Sequence, residues 1–278
     1  MGRTLAHGDS LAREIFARAD DVLGFPLSCL IFEGPEEELR RTSFQQPAMV
    51  VVSIAYLSVL QARGVLPIAS FVAGHSLGEY SAMIACNALR FDDALPIVRR
   101  RGELMEQMGA GAMAAVIGLA PALVAALADE AGAEVANFNS PDQTTISGRD
   151  DAVERAMTLA KERGAKRAIR LPVTGAFHSS LMAPVVAALR PMIEAVPLNT
   201  ASVPLIGNVD ARPLTEPDDL RRELVEQITS PVRWVDVVAT LGQAGVSTYC
   251  EVGPGKVLAG LVARCDRRAT IISAESLL

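Results

Sequence analysis

A serine held between glycines, at the joint of an apolar strand and a helix-forming run, constrains this chain more than any other feature. The stretch reads Phe71-Val-Ala-Gly-His-Ser-Leu-Gly-Glu-Tyr80. A Gly-x-Ser-x-Gly turn between strand and helix sets the serine on a sharp bend and projects its hydroxyl into a cleft, with glycines admitting neighbouring backbone. The helix that follows aims its first N–H groups at the point where negative charge develops when Ser76 attacks a carbonyl. The motif points to acyl transfer through Ser76. An ordinary turn that uses glycines for geometry matches the same five residues; the strand before it and the helix after it favour the chemical reading.

Around this elbow the chain alternates strands with helices, which implies a mostly parallel sheet covered on both faces. Apolar spacing predicts a helix over 9–23, capped by Asp9 or Ser10, and a short acidic turn over 35–39. Gln46-Pro47 opens an apolar helix to about residue 61. A strand over 67–73 delivers the elbow, a helix over 77–86 leaves it, and Asp92 caps a helix to about residue 108. The pattern then changes to strand 112–117, helix 120–131, strands 135–138 and 144–147, helix 152–163 and strand 168–171. This βαββαβ order is that of a ferredoxin-like unit inserted between two parts of a larger α/β sheet. It gives a core of residues 1–110 and 175–278 and a subdomain of residues 111–174. The core resumes with helices over 180–196, 217–228 and 231–241, strands over 203–207, 248–252 and 270–273, and a helix over 256–265. Gly253-Pro-Gly255 reads as a tight structural turn, because the spacing of a dinucleotide fingerprint is absent.

Charge and cysteines narrow the function classes. A net charge of −6 argues against nucleic-acid binding, which needs a basic face to neutralise phosphate. Cys29, Cys86, Cys250 and Cys265 lie far apart without a histidine cluster, so neither a disulfide framework nor a metal site is expected. No signal peptide is evident, and a cytoplasmic location is expected. The apolar run over 47–60 carries Ser53 and Ser58 and is short for a membrane span, so it reads as a buried helix.

Serine needs a base to take its proton. The chain has three histidines. His7 lies near the terminus, and His75 precedes the nucleophile and should point to the opposite side of the elbow. His178 remains, at the exit from the inserted unit, where loops carry function. Arg101 falls within the apolar stripe Ala94, Ile97, Val98, Leu104, Met105 of its helix. A guanidinium on a buried face needs a partner, and its planar fork suits a carboxylate. That carboxylate belongs either to an Asp or Glu of this chain or to a substrate whose acyl group ends in a free acid.

These residues resemble a family, the malonyl-CoA:acyl carrier protein transacylases of fatty-acid synthesis and the related acyltransferase domains of polyketide synthases. The resemblance runs through Gln46-Pro47-Ala48, Gly74-His-Ser-Leu-Gly-Glu-Tyr-Ser81, Arg101-Gly102, Asn137-Phe-Asn-Ser-Pro141, Ala176-Phe-His-Ser179, Asn208-Val-Asp210 and Glu251-Val-Gly-Pro-Gly-Lys256. It implies a hydrolase-like α/β core with the ferredoxin-like subdomain, and no permanently bound cofactor. It implies Ser76 as nucleophile, His178 as base and acid, and Arg101 clamping a malonyl carboxylate. Leu77 would lend an oxyanion N–H, Gln46, Asn139 and Phe177 would contact substrate, and the backbone carbonyl at Gln227 would orient His178. Malonyl-CoA and the holo form of acyl carrier protein are the implied substrates, with Lys161, Arg163, Lys166, Arg167 and Arg170 as a basic cluster that either docks the acidic carrier or is a solvated face. Family members begin with a core strand and a Gly-Gln-Gly loop carrying a second oxyanion donor. This chain begins beyond that point, so the resemblance implies a core without its first strand. An acyl-thioester hydrolase on the same scaffold and a catalytically weakened remnant are the alternatives.

Overall fold

A computed structural model, which describes residues 1–173 and 175–278, builds its larger core around one long helix. The chain opens with α1 (Arg3–Gly8), α2 (Ser10–Leu23), α3 (Leu27–Glu33) and α4 (Glu36–Leu39), followed by α5 (Thr42–Ala62). Asp9 caps α2 by accepting from the Leu11 N–H at 3.0 Å. α5 begins four residues earlier than its proline suggested, so Pro47 lies inside it. Proline has no N–H to give the Ser43 carbonyl one turn back. Arg99 Nη1 donates to that carbonyl instead, at 2.7 Å. At 21 residues α5 is long and apolar enough to cross a membrane, yet 67% of its most apolar window is buried inside the fold. An apolar surface this broad is that of a core helix, and most of it packs against the rest of the fold.

β1 (Val72–Ala73) delivers the elbow, α6 (Gly78–Ala85) leaves it and α7 (Phe91–Met108) packs back across α5. The crossing is close because residue 102 is glycine: a Cβ there would stand 2.5 Å from the Thr42 carbonyl oxygen. Asp92 lies in the first turn of α7 and not at its cap, with its carboxylate held by Arg18 at 2.6 Å.

The middle of the chain runs β2 (Ala112–Ile117), α8 (Pro121–Ala131), β3 (Glu134–Ser140), β4 (Gln143–Gly148), α9 (Asp150–Glu162) and β5 (Arg167–Arg170). Its strands form an antiparallel sheet in the order β3-β4-β2-β5. The two helices close a separate apolar cluster that includes Val116, Leu127, Ile146 and Val153. β3 is stitched to the main body at Val232, whose N–H reaches the Ala136 carbonyl at 2.8 Å and whose carbonyl accepts from Phe138 at 2.9 Å.

The remainder comprises α10 (Ala183–Ala195), β6 (Leu205–Ile206), β7 (Pro213–Leu214), α11 (Pro217–Glu226), α12 (Trp234–Gln243), β8 (Thr248–Glu251), α13 (Val257–Cys265) and β9 (Thr270–Ser273). The expected single, mostly parallel sheet is replaced by mixed pairing. β6 lies parallel to β1 and antiparallel to β7, while β8 and β9 form a separate parallel pair. A strand extends only as far as it finds a partner, and β6 offers β1 two residues. Residues 67–70 therefore run as exposed chain, with Ile68 fully in solvent. At Gly253-Pro-Gly255 the following helix is already satisfied, because Glu251 accepts from the N–H groups of Leu258 and Ala259 at 3.0 and 2.8 Å. The turn is structural.

Candidate active site

Ser76 sits at φ 51°, in the left-handed region that non-glycine residues avoid. Such strain costs on the order of 1–3 kcal/mol and persists where surrounding structure holds it. Here the Asn208 side chain does so: its Oδ1 accepts the Ser76 N–H and its Nδ2 donates to the Gly74 carbonyl, both at 2.7 Å. The two motif glycines differ in their work. A Cβ on Gly74 would lie 2.0 Å from the Gly78 carbonyl carbon, whereas one on Gly78 would meet nothing within 4 Å. Gly74→Ala is therefore expected to lower the melting temperature sharply and abolish Ser76 labelling, while Gly78→Ala leaves the melting temperature near wild type; paired thermal unfolding curves check both.

His178 also has a positive φ, 57°. Its Nε2 lies 2.7 Å from Ser76 Oγ. On the other side of the ring, Nδ1 faces the carbonyls of Gln227 at 2.8 Å and Ser230 at 3.1 Å. Two carbonyls can only accept, so Nδ1 carries the hydrogen and Nε2 presents a lone pair to the serine hydroxyl. Burial first, and then the Arg101 charge, push the imidazole down to about 3. A neutral imidazole so oriented beside a serine has the geometry that general-base catalysis requires.

Arg101 projects from α7 into the same cluster and is 2% exposed. Nη1 donates to Gln46 Oε1 at 2.7 Å, and Nη2 donates to Gln227 Oε1 and Ser76 Oγ, both at 3.2 Å. Its Nε has no hydrogen-bond partner among the described residues. Among the described residues no carboxylate pairs with this guanidinium, so the reading of Arg101 as half of an internal ion pair finds no second half. A buried charge without a counter-ion is strongly destabilising, so this guanidinium leans on neutral acceptors alone. The other end of Gln46 is fixed by Met105, whose Sδ accepts from Nε2 at 3.3 Å.

The remaining candidates divide. Leu77 caps α6, and its N–H has no acceptor among the described residues, which leaves it available beside Ser76. Gln227 enters twice, with its backbone carbonyl on His178 and its side chain on Arg101. The Phe177 ring is partly buried against the main core and lies over Gly175. Asn139 does not reach the Ser76 cluster by hydrogen bonds: its Oδ1 engages His75 Nε2 at 2.9 Å and its Nδ2 donates to Thr145 at 3.1 Å. His75 accordingly points away from the nucleophile, its ring 5.6 Å from that of Trp234. Among the described residues no cluster of His, Cys, Asp and Glu could hold a metal ion. Asn208, Ser230 and Glu79 were not singled out from sequence. Both Asn208 and Glu79 fall in stretches that carry the family resemblance, Asn208-Val-Asp210 and residues 74–81, but neither stretch says locally that the two meet.

The Acyl transferase domain family matches residues 1–277. The chain belongs to that family, on its malonyl-CoA:acyl carrier protein transacylase branch. The malonyl CoA-acyl carrier protein transacylase of Bacillus subtilis is 45% identical to this acyl transferase over 281 residues, spanning 98% of this chain and 88% of that protein. An acyl carrier protein S-malonyltransferase from Vibrio cholerae superimposes with a TM-score of 0.93 at 40% identity, covering 97% of this chain and 90% of its own. A malonyl-transacylase solved with a type II polyketide synthase acyl carrier protein matches with a TM-score of 0.95 at 37% identity, covering 98% of this chain and 90% of its own.

Proposed function

We propose that this acyltransferase moves a malonyl group from malonyl-CoA to the phosphopantetheine thiol of an acyl carrier protein, through a malonyl ester on Ser76. The observation that carries the reading is the buried Arg101 guanidinium, 3.2 Å from the serine oxygen and in no ion pair with a carboxylate among the described residues. A malonyl carboxylate supplies that charge partner, and a neutral acyl group does not.

In the first half-reaction His178 Nε2 takes the Ser76 proton as Oγ attacks the thioester carbonyl. The carbonyl oxygen gains charge against the Leu77 N–H. The C–S bond then breaks, and the CoA sulfur leaves with the proton from His178. Throughout, the carbonyls of Gln227 and Ser230 hold the Nδ1 hydrogen and stabilise the transient imidazolium. In the second half, His178 takes the proton of the carrier thiol, the thiolate attacks the ester, and the C–O bond breaks as His178 Nε2 returns that proton to Ser76 Oγ. Gln46 keeps Arg101 aimed at the acyl carboxylate, and Phe177 limits the room for a branched acyl group. Asn139 supports the elbow through its hydrogen bond to His75.

We read residues 111–174 as a ferredoxin-like subdomain inserted into a hydrolase-like core of residues 1–110 and 175–278. The sheet order β3-β4-β2-β5 and its own apolar cluster support this; the boundary at Thr174 lies outside the described residues. This subdomain carries the basic cluster. Arg163 pairs with Glu130, and Arg170 with Asp150 and Glu154, which leaves Lys161, Lys166 and Arg167 outside the ion pairs among the described residues. Lys161→Glu with Arg167→Glu is expected to raise the KM for the carrier protein about 3- to 10-fold and leave self-acylation unchanged. An unchanged KM would remove this face from docking.

The test of the function is a chase. Malonyl-enzyme freed of CoA should discharge to holo acyl carrier protein much faster than to water, with parallel-line ping-pong kinetics. Discharge to water at an equal rate would make it a hydrolase.

A further inference from the structure

Glu79 touches no reacting atom in the mechanism above, yet it lies fully buried in the first turn of α6, directly under the elbow. Both of its carboxyl oxygens are taken. Oε1 accepts from the Asn208 backbone N–H at 2.7 Å, and Oε2 accepts from Gln227 Nε2 at 2.8 Å. Each of those partners supports a different part of the site. Asn208 holds the Ser76 N–H and the Gly74 carbonyl. Gln227 holds the His178 ring by its carbonyl and the Arg101 guanidinium by its side chain.

We propose that Glu79 is a positioning residue for acyl selectivity: it fixes which way the Gln227 amide faces, and thereby keeps an acceptor on Arg101. The inference rests on the reading of Arg101 as the anchor of the acyl carboxylate. Its logic is one of donors and acceptors. A glutamine amide has a donor end and an acceptor end, and arginine has donors only. With Glu79 Oε2 accepting from Nε2, the oxygen of Gln227 must turn toward Arg101. A flipped amide would set N–H against N–H on a buried charge, which leaves donors unpaired.

Glu223 makes this arrangement possible. It reaches in from α11 and accepts from the Val209 N–H at 2.9 Å, pressed so closely on the chain at Gly207 that a Cβ there would lie 2.7 Å from its carboxyl carbon. Glu79 and Glu223 accept from the adjacent N–H groups of Asn208 and Val209, and two buried carboxyls side by side do not both ionise. Burial and the Glu223 charge hold the Glu79 proton well above the usual carboxylate range. A protonated carboxyl donates to Glu223 and still accepts on both oxygens. An amide in its place cannot, because its nitrogen accepts nothing.

The variants therefore separate. In Glu79→Gln one of the two N–H groups, of Asn208 or of Gln227, loses its acceptor. In Glu223→Gln the new amide donates to an ionised Glu79, and both acceptors remain. The readout is the ratio of single-turnover loading rates for malonyl-CoA and acetyl-CoA, which does not depend on the folded fraction. Glu79→Gln is expected to lower the malonyl-over-acetyl ratio about 10- to 100-fold, with Glu223→Gln within about threefold of wild type. Gln227→Met cuts the same link from the other side and should lower the ratio similarly, with the double variant little worse than either single one. An unchanged ratio in Glu79→Gln or Gln227→Met, beside a collapsed ratio in Arg101→Ala, overturns the positioning role. An unchanged ratio in Arg101→Ala as well overturns the reading of Arg101 beneath it.

Discussion

Replacing His178 by alanine is expected to slow loading of Ser76 by malonyl-CoA by about 100- to 10,000-fold, the usual contribution of a positioned general base. The serine keeps its place, because the Asn208 side chain holds the elbow independently of the histidine. What is lost is the neutral acceptor poised for its proton at 2.7 Å. The same imidazole shapes the pH profile. Protonation destroys a general base, and burial with the neighbouring Arg101 charge lowers this one from 6.5 to about 3. As pH falls through 6.5 the free-enzyme base therefore stays neutral, and kcat/KM should show no histidine limb there, falling only at lower pH. A limb centred near 6.5 would mean that His178 is solvated or is not the base. Stopped-flow loading across pH, run with His178→Ala as the baseline, decides both points.

Arg101→Ala should produce the second large effect, on which substrate is loaded and not on whether Ser76 reacts at all. Removing one partner of a buried, hydrogen-bonded charge pair costs about 2–5 kcal/mol, or roughly 30- to several-thousand-fold. That loss should fall on malonyl-CoA alone. Loading by a neutral acyl thioester should hold or improve, because the substitution also removes a positive charge that suppresses the basicity of His178. Rates with malonyl-CoA and acetyl-CoA, compared between wild type and Arg101→Ala, give the answer. Equal losses for both acyl groups would assign Arg101 to scaffolding.

Local chemistry made much of this site legible before any coordinates. The elbow announced Ser76 by its glycines, His178 was reached by elimination among three histidines, and Arg101 stood out as a charge within an apolar stripe. Helices with a strong 3.6-residue period, such as α2, and strands with partners along their whole length, such as β2 and β9, were readable to within a residue or two. Other features depend on contacts that no local pattern carries. The apolar runs leading into β1 and β6 predict longer strands, but a ladder is limited by what the neighbour offers, and each has two paired residues. α5 starts ahead of Gln46-Pro47, where a proline by statistics marks a first turn, because an arginine from α7 satisfies the carbonyl that the proline leaves open. Glu79 is the sharpest case. Its partners Asn208 and Gln227 are 129 and 148 residues away, so nothing in the helical run Gly78–Ala85 distinguishes it from a solvated glutamate. Asn139 is a further case: its amide engages His75 and Thr145, a pairing across the fold that the local run Asn137-Phe-Asn-Ser-Pro141 does not announce.

The central claim is that Ser76 takes up an acyl group because that group ends in a carboxylate. Intact-protein mass after brief incubation with malonyl-CoA tests it most directly, run beside acetyl-CoA and beside Ser76→Ala. The account predicts a single malonyl adduct on the wild-type chain, none on Ser76→Ala, and far less adduct with acetyl-CoA. An adduct that survives Ser76→Ala, equal labelling by the two acyl groups, or no adduct on folded wild-type protein would contradict it.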